Sequence, residues 1–149
     1  VEEIDLNNII SEIITLHNKE IEDKNAVIIT EKLPVIHSQK SLITQVFQNL
    51  VGNALKYSKE ESSVQISISL QEQEKYWQFA VTDNGIGIPQ VFFEKIFVIF
   101  QRLHNREKYS GTGIGLAITK KIVESLNGKI WVESEENKGS TFYFTIPKK

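Results

Sequence analysis

Val64-Gln65-Ile66-Ser67-Ile68-Ser69-Leu70 and Trp77-Gln78-Phe79-Ala80-Val81-Thr82-Asp83 decide how this chain folds. Val64, Ile66, Ile68 and Leu70 alternate with polar residues, and Trp77, Phe79 and Val81 do the same. Successive side chains of a strand point to opposite faces, so each run buries one face and wets the other. A charged turn at 72–75 joins them, which predicts a hairpin. A second hairpin closes the chain, with strands over 129–135 and 141–146 around Asn137-Lys138-Gly139. The apolar run 27–33, stopped by Pro34, predicts a further strand.

The remaining apolar residues recur at helical spacing. Asp5 can cap a helix carrying Leu6, Ile9, Ile10, Ile13, Leu16 and Ile21 and ending near Asp23. Ser38 begins a second helix that reaches Tyr57, with Ile43, Val46, Phe47, Leu50 and Ala54 on its apolar face. An aromatic-rich helix is expected over 92–103 and a polar stretch over 104–110. A last helix opens at 111–115 and runs to Leu126, where Asn127-Gly128 stops it. This order predicts an α/β (α+β) two-layer sandwich, a mixed β-sheet with helices on one face, in a single domain spanning 1–149.

At 149 residues the chain can bury roughly 68 to 70% of its unfolded surface and needs no cross-links to hold a core. With 40% hydrophobic and 24% charged residues it is neither disordered nor fibrous. Seventeen Lys and Arg against nineteen Asp and Glu leave a net charge of −2, so no global positive field points to nucleic acid or an anionic membrane. An anionic ligand must be held locally. The absence of Cys excludes disulfides, zinc thiolates and thiol nucleophiles. No apolar run reaches the roughly 18 to 20 residues of a membrane span, and Val1-Glu2-Glu3 does not open a signal peptide, so a soluble, cytoplasmic domain without membrane contact is expected. The lack of any Met points to a piece of a longer protein.

Three features exceed what periodicity requires. Gln45, Asn49, Asn53 and Tyr57 fall four apart, with Lys56 three beyond Asn53, so all share one helical face. Such a face is a solvated stripe, or it is a site: an Asn amide oxygen can ligate Mg²⁺ when phosphates supply the other oxygens, and Lys56 can meet a phosphate. Asp83 continues the buried parity of Trp77, Phe79 and Val81, where an unpaired carboxylate is costly. Either it starts the Asn84-Gly85 turn, or it awaits a donor such as the exocyclic amino group of adenine. Finally, Asp83-Asn84-Gly85-Ile86-Gly87-Ile88-Pro89 and Gly111-Thr112-Gly113-Ile114-Gly115-Leu116 hold five of the eight glycines. Each can be a simple turn, but the second runs straight into a helix, where free N–H groups favour a phosphate. Neither matches a dinucleotide fingerprint or a Walker loop.

In this order, Asn49-Leu-Val-Gly-Asn53-Ala-Leu-Lys56-Tyr57, Asp83-Asn-Gly-Ile-Gly87, Phe93-Glu-Lys-Ile-Phe97-Val-Ile-Phe100-Gln-Arg102 and Gly111-Thr-Gly-Ile-Gly-Leu116 resemble the nucleotide-binding boxes of sensor histidine kinases. The resemblance covers essentially the whole chain, through Gly139-Ser140-Thr141-Phe142. It implies the catalytic ATP-binding domain of a two-component signalling protein, with the Bergerat fold shared with gyrase, mismatch-repair and chaperone ATPases. The wording around Phe100 and Leu116 is similar to kinases that follow PAS or phytochrome sensors.

Residue by residue, the family pattern implies that Asn53 ligates Mg²⁺, that Asn49 and Lys56 lie against the phosphates of ATP, and that Tyr57 covers the adenine. Asp83 would accept from the base, with Gly85, Gly87 and Ile88 beside it and Thr141 supporting Asp83 from a neighbouring strand. Phe97 and Phe100 would anchor a lid over 103–110, and Arg102 would reach the terminal phosphates, completing a catalytic set with Asn53 and Lys56. Gly111, Gly113, Gly115 and Leu116 would line the phosphates with backbone donors.

Gyrase-like hydrolases carry a Glu four residues before the magnesium Asn. Here that residue is Asn49, so transfer is favoured over hydrolysis. His17, His37 and His104 are followed by Asn18, Ser38 and Asn105, whereas the family's acceptor histidine is usually followed by an acidic residue; the resemblance therefore implies a phosphoacceptor on a separate dimerisation hairpin, with a response regulator downstream. An anti-sigma-type serine kinase and a nucleotide-sensing module without transfer are the rival readings.

Overall fold

The computed structural model describes residues 1–59, 63–98 and 115–148. Its centre is a five-stranded sheet in the order β2-β4-β5-β7-β6. The strands are β2 (Val27–Thr30), β4 (Gln65–Glu72), β5 (Tyr76–Asp83), β6 (Ile130–Glu135) and β7 (Gly139–Pro147). β2 runs parallel to β4 and the other pairs are antiparallel, so the sheet is mixed. Both expected hairpins, β4–β5 and β6–β7, are present, and β5 joins β7 in a register that puts Phe79 opposite Phe144 and Val81 opposite Phe142.

The face carrying Ile66, Ile68, Phe79, Val81, Val132, Phe142 and Phe144 is buried. It meets α1 (Leu6–Leu16), α3 (Lys40–Lys56) and α4 (Gly115–Ser125), whose apolar residues join the same core. Phe47 of α3 packs edge-on against Phe79 and Phe144, at 5.6 and 5.1 Å between centroids. These rings seat α3 squarely on the sheet. The other sheet face carries Ser67, Ser69, Gln78, Thr82 and Thr145, with Trp131 stacked on Tyr143. The architecture is therefore the expected two-layer one.

Four elements differ from expectation. The first helix breaks at His17, and a separate α2 (Asn18–Asp23) follows: Leu16 is 63% exposed, and Ile21 meets the core from the second helix. The second strand stops at Thr30 rather than Leu33: the Leu33 N–H and C=O bond the side-chain amide of Asn7, both at 2.8 Å, instead of β4. A small antiparallel pair, β1 (Glu2–Asp5) with β3 (Val35–Ser38), is an addition to the expected elements, and it converts Ser38 from a helix start to a strand end. Its short strands bury Ile4 and Ile36, which face each other in the register, and Ser38. Over 90–98 the aromatic segment forms two 3₁₀ turns, Gln90–Phe92 and Lys95–Phe97, rather than one α-helix. Ile96 is buried there, and Phe97 stands edge-on to Phe142, docking the segment on the core. No helix among the described residues is long and apolar enough to cross a membrane.

Candidate functional site

The polar stripe of α3 lies along one edge of the helical layer, with Asn49, Asn53, Lys56 and Tyr57 partly buried and Gln45 exposed. Asn49 Nδ2 donates to Thr119 Oγ1 at 3.0 Å, and Thr119 Oγ1 donates to Gly115 O at 2.8 Å. The start of α4 is thereby tied to the middle of the stripe. At the end of α3, Tyr57 N–H caps onto Asn53 O at 3.1 Å, and Lys56 Nζ stands 5.9 Å from the Tyr57 ring centroid. Lys24 and Ser58 brace this end by donating to Leu55 O, a favourable place for a cation at a helix C-terminus.

Asp83 ends β5, between Ile66 of β4 and Ser140 of β7. Burial lifts its carboxyl from an ordinary 3.8 to about 6, against the lowering effect of backbone hydrogen bonds from Gly85 and Ser140. The Gly85 N–H donates to Asp83 Oδ1 at 2.8 Å, and Ile86 N–H donates to Tyr57 O at 3.1 Å. The base-reading candidate and the end of the stripe are therefore clasped together through adjacent residues of one loop.

The glycines are required by that clasp. A Cβ at Gly85 would stand 2.5 Å from Tyr57 O. Gly87 has φ +74°, and a Cβ there would meet Glu135 O at 2.1 Å. Beyond it, Ile88 N–H donates to Ser134 Oγ at 2.7 Å and Asn137 N–H to Ile86 O at 2.7 Å. The loop after Asp83 thus rests on the β6–β7 hairpin.

Asn49, Asn53, Lys56 and Tyr57 share the α3 stripe, and Tyr57 O joins its end to the loop of Gly85, Gly87 and Ile88 that follows Asp83. Gly115 heads α4 with open space where a Cβ would be, and Leu116 packs against the core. Thr141 does not face Asp83. It lies directly opposite Thr82, with the two hydroxyls 3.1 Å apart, so strand alternation puts it on the other face of the sheet. Ser140 holds the position beside Asp83. Arg102, Gly111, Gly113, Phe100, His104 and the lid over 103–110 fall outside the described residues. Ser134, Ser140, Thr119 and Lys24 carry no signal in the sequence: a register between strands is needed to bring the two serines to Asp83, and helix packing is needed for the other two.

Asn53 offers a neutral oxygen donor, suited to a hard cation such as Mg²⁺ whose remaining ligands come from phosphate. Asp83, half-buried beside glycines whose missing Cβ atoms let Tyr57 O and Glu135 O close in, offers a carboxylate acceptor suited to an amino group. The donor set fits magnesium and an adenine nucleotide.

Residues 38–149 match the family model described as histidine kinase-, DNA gyrase B-, and HSP90-like ATPase. The chain is 47% identical over 143 residues to the phytochrome-like protein Cph1 of Synechocystis sp., covering 96% of this chain but 19% of that protein. Among solved structures it is similar to the catalytic domain of histidine kinase ThkA, with 33% identity, TM-score 0.84, and coverage of 99% of this chain and 95% of that one. A structure of ThkA in complex with the response regulator protein TrrA matches with 30% identity and TM-score 0.79, covering 99% of this chain and 42% of that one. The chain thus spans about a fifth of the length of the phytochrome-like relative.

Proposed function

The chain belongs to the histidine kinase-, DNA gyrase B- and HSP90-like ATPase family, as a catalytic ATP-binding domain of the sensor histidine kinase type with the Bergerat fold, and from that membership we propose that it binds Mg²⁺-ATP and passes the γ-phosphoryl group to a histidine on a separate dimerisation hairpin. The observation that carries this reading is the Ile86 N–H bond to Tyr57 O. It joins the carboxylate that would take the base to the stripe that would take the phosphates, making one elongated site.

Asp83 accepts from the 6-amino group of adenine, and Tyr57 covers the ring. Asn49, Lys56 and the N-terminus of α4 at Gly115 meet the phosphates, with Arg102, Gly111 and Gly113 completing that end. Asn53 holds Mg²⁺, which neutralises charge on the phosphate oxygens. Phosphoryl transfer through a loose transition state needs positioning and charge stabilisation, which these groups supply. Asn49 occupies the place where a water-activating Glu would stand, so the bound ATP is kept for transfer.

The partners of this reading are the phosphoacceptor hairpin of the same parent protein and a downstream response regulator, in keeping with the ThkA complex. The same reading assigns the domain to the cytoplasm, with no nucleic acid and no membrane contact. Calorimetry with ATP in the presence and absence of Mg²⁺, followed by incubation with a histidine-bearing hairpin, tests it. Magnesium-dependent binding and histidine labelling are expected; failure to bind ATP overturns it.

A further inference from the structure

Asp83, Ser140 and Ser134 form one row across β5, β7 and β6, paired in register and pointing to the same face. Ser134 Oγ accepts from Ile88 N–H at 2.7 Å and donates to Gly139 O at 2.7 Å, and Ser140 Oγ lies 2.7 Å away. A hydroxyl has one hydrogen and two lone pairs. With its hydrogen on Gly139 O and one lone pair on Ile88, Ser134 has a single lone pair left. The Ser140 hydrogen must fill it. Ser140 therefore keeps only lone pairs, next to the Asp83 carboxylate.

We propose that Ser134 sets the base preference of this site by fixing the direction of the Ser140 hydroxyl hydrogen. Two acceptors side by side, the Asp83 carboxylate and Ser140 Oγ, match the two hydrogens of an amino group at purine C6. They oppose a carbonyl there. Ser134 does not touch the base; it is a positioning residue that denies Ser140 the freedom to donate. This rests on the reading that Asp83 takes the base. Removing the Ser134 oxygen releases the Ser140 rotor, which can then turn its hydrogen toward a C6 carbonyl and tolerate it.

The test compares ATP with inosine triphosphate, which carries a carbonyl at C6 and no added amino group, by calorimetry on the wild type, Ser134→Ala, Ser134→Thr and Ser140→Ala. The wild type should prefer ATP by about tenfold or more, the scale of one mismatched buried polar contact. Ser134→Ala should lower that ratio by about fivefold, and Ser134→Thr, which keeps an oxygen, should restore it. Ser140→Ala should also lower it, and because it leaves the Ile88 bond in place it serves if Ser134→Ala does not fold. An unchanged ratio in either alanine variant, or parallel weakening of both nucleotides in Ser134→Ala, overturns the proposal and leaves the Asp83 reading standing. A wild type indifferent to the C6 group overturns both.

Discussion

Asn49 and Thr119 join the two helices of the site, through a 3.0 Å bond from the Asn49 amide to a threonine hydroxyl that is itself fixed on Gly115 O. Thr119 is fully buried. Its hydroxyl therefore holds α4, and with it the Gly115 backbone, at a set height along the α3 stripe. Thr119→Val keeps the shape and removes both bonds, leaving a partly buried amide donor unmet. The variant should lose about 1 to 2 kcal/mol of stability, roughly 2–4 °C in melting temperature per kcal/mol at this size. Its affinity for Mg²⁺-ATP should fall as well, which calorimetry beside a thermal melt checks.

Asn53→Ala separates metal holding from folding. The Asn53 side chain is partly exposed on the stripe, and the backbone carbonyl that caps Tyr57 is kept in the variant. ATP binding with Mg²⁺ should weaken by about tenfold, or 1.4 kcal/mol, while binding in a chelator is unchanged and the melting temperature stays close to wild type. Equal weakening with and without Mg²⁺ would remove the metal role.

Acidity should act on stability and on binding in opposite directions. In the unfolded chain Asp83 titrates near 3.8 and in the fold at about 6, so between those values the folded state binds more protons. Its contribution to stability is full below pH 3.8 and is lost as pH rises through about 6, amounting to about 3 kcal/mol. Nucleotide binding needs the ionised acceptor, so Mg²⁺-ATP affinity should drop as pH falls through about 6. Asp83→Asn should abolish both trends, read from melts and calorimetry across the range. A wild-type binding profile flat through this range defeats the assignment.

Strict alternation makes the sheet legible: the parity of Phe79 and Val81 is enough to put Asp83 on the buried face. Alternation could not have corrected the family-based placing of Thr141 beside Asp83, because parity within one strand does not fix its register against another. A shift of one residue exchanges Thr141 for Ser140 and flips the side chain to the opposite face. The stripe of α3 is visible in the sequence as an odd set of amides on one face. The Ser134 contact to Ile88 is not, since it joins residues 46 positions apart through a turn and a strand edge. The β1–β3 pair is hidden for a different reason: four-residue strands with one buried residue in β1 and two in β3 are too short to carry a periodic signal.

Gly87→Ala tests the loop that links Asp83 to the β6–β7 hairpin. The substitution would force a side chain onto φ +74° and drive Cβ against Glu135 O. The loop must move, breaking the Ile88 bond to Ser134 or the Asn137 bond to Ile86. Strain at such a position costs on the order of 1–3 kcal/mol. ATP affinity should fall by more than tenfold while the far side of the sheet keeps its hydrogen-exchange protection. Unchanged affinity would show that the loop does not shape the base site.

The last prediction follows from where the histidines lie. His17 is packed at the break between α1 and α2, with Nδ1 3.3 Å from Glu20 and Nε2 buried beside Gly52. His37 is exposed on β3, paired at 3.8 Å with Glu3 of β1 rather than followed by a carboxylate on a helix. His17 stands against α3 at Gly52, but its Nε2 is shut into that packing, and His37 sits on the β1–β3 pair; no Glu stands four residues before Asn53 to activate water. The described residues therefore offer an isolated domain no oriented nucleophile for labelled Mg²⁺-ATP, and without one it forfeits the effective concentration that positioning supplies. It should neither label itself appreciably nor hydrolyse ATP quickly. Adding the parent's helical hairpin in trans should restore labelling, on a histidine, as an acid-labile and alkali-stable phosphoramidate. Label on His17, His37 or His104 would break the proposed division of labour, and acid-stable label on a serine of the partner would move the domain to the serine kinase reading.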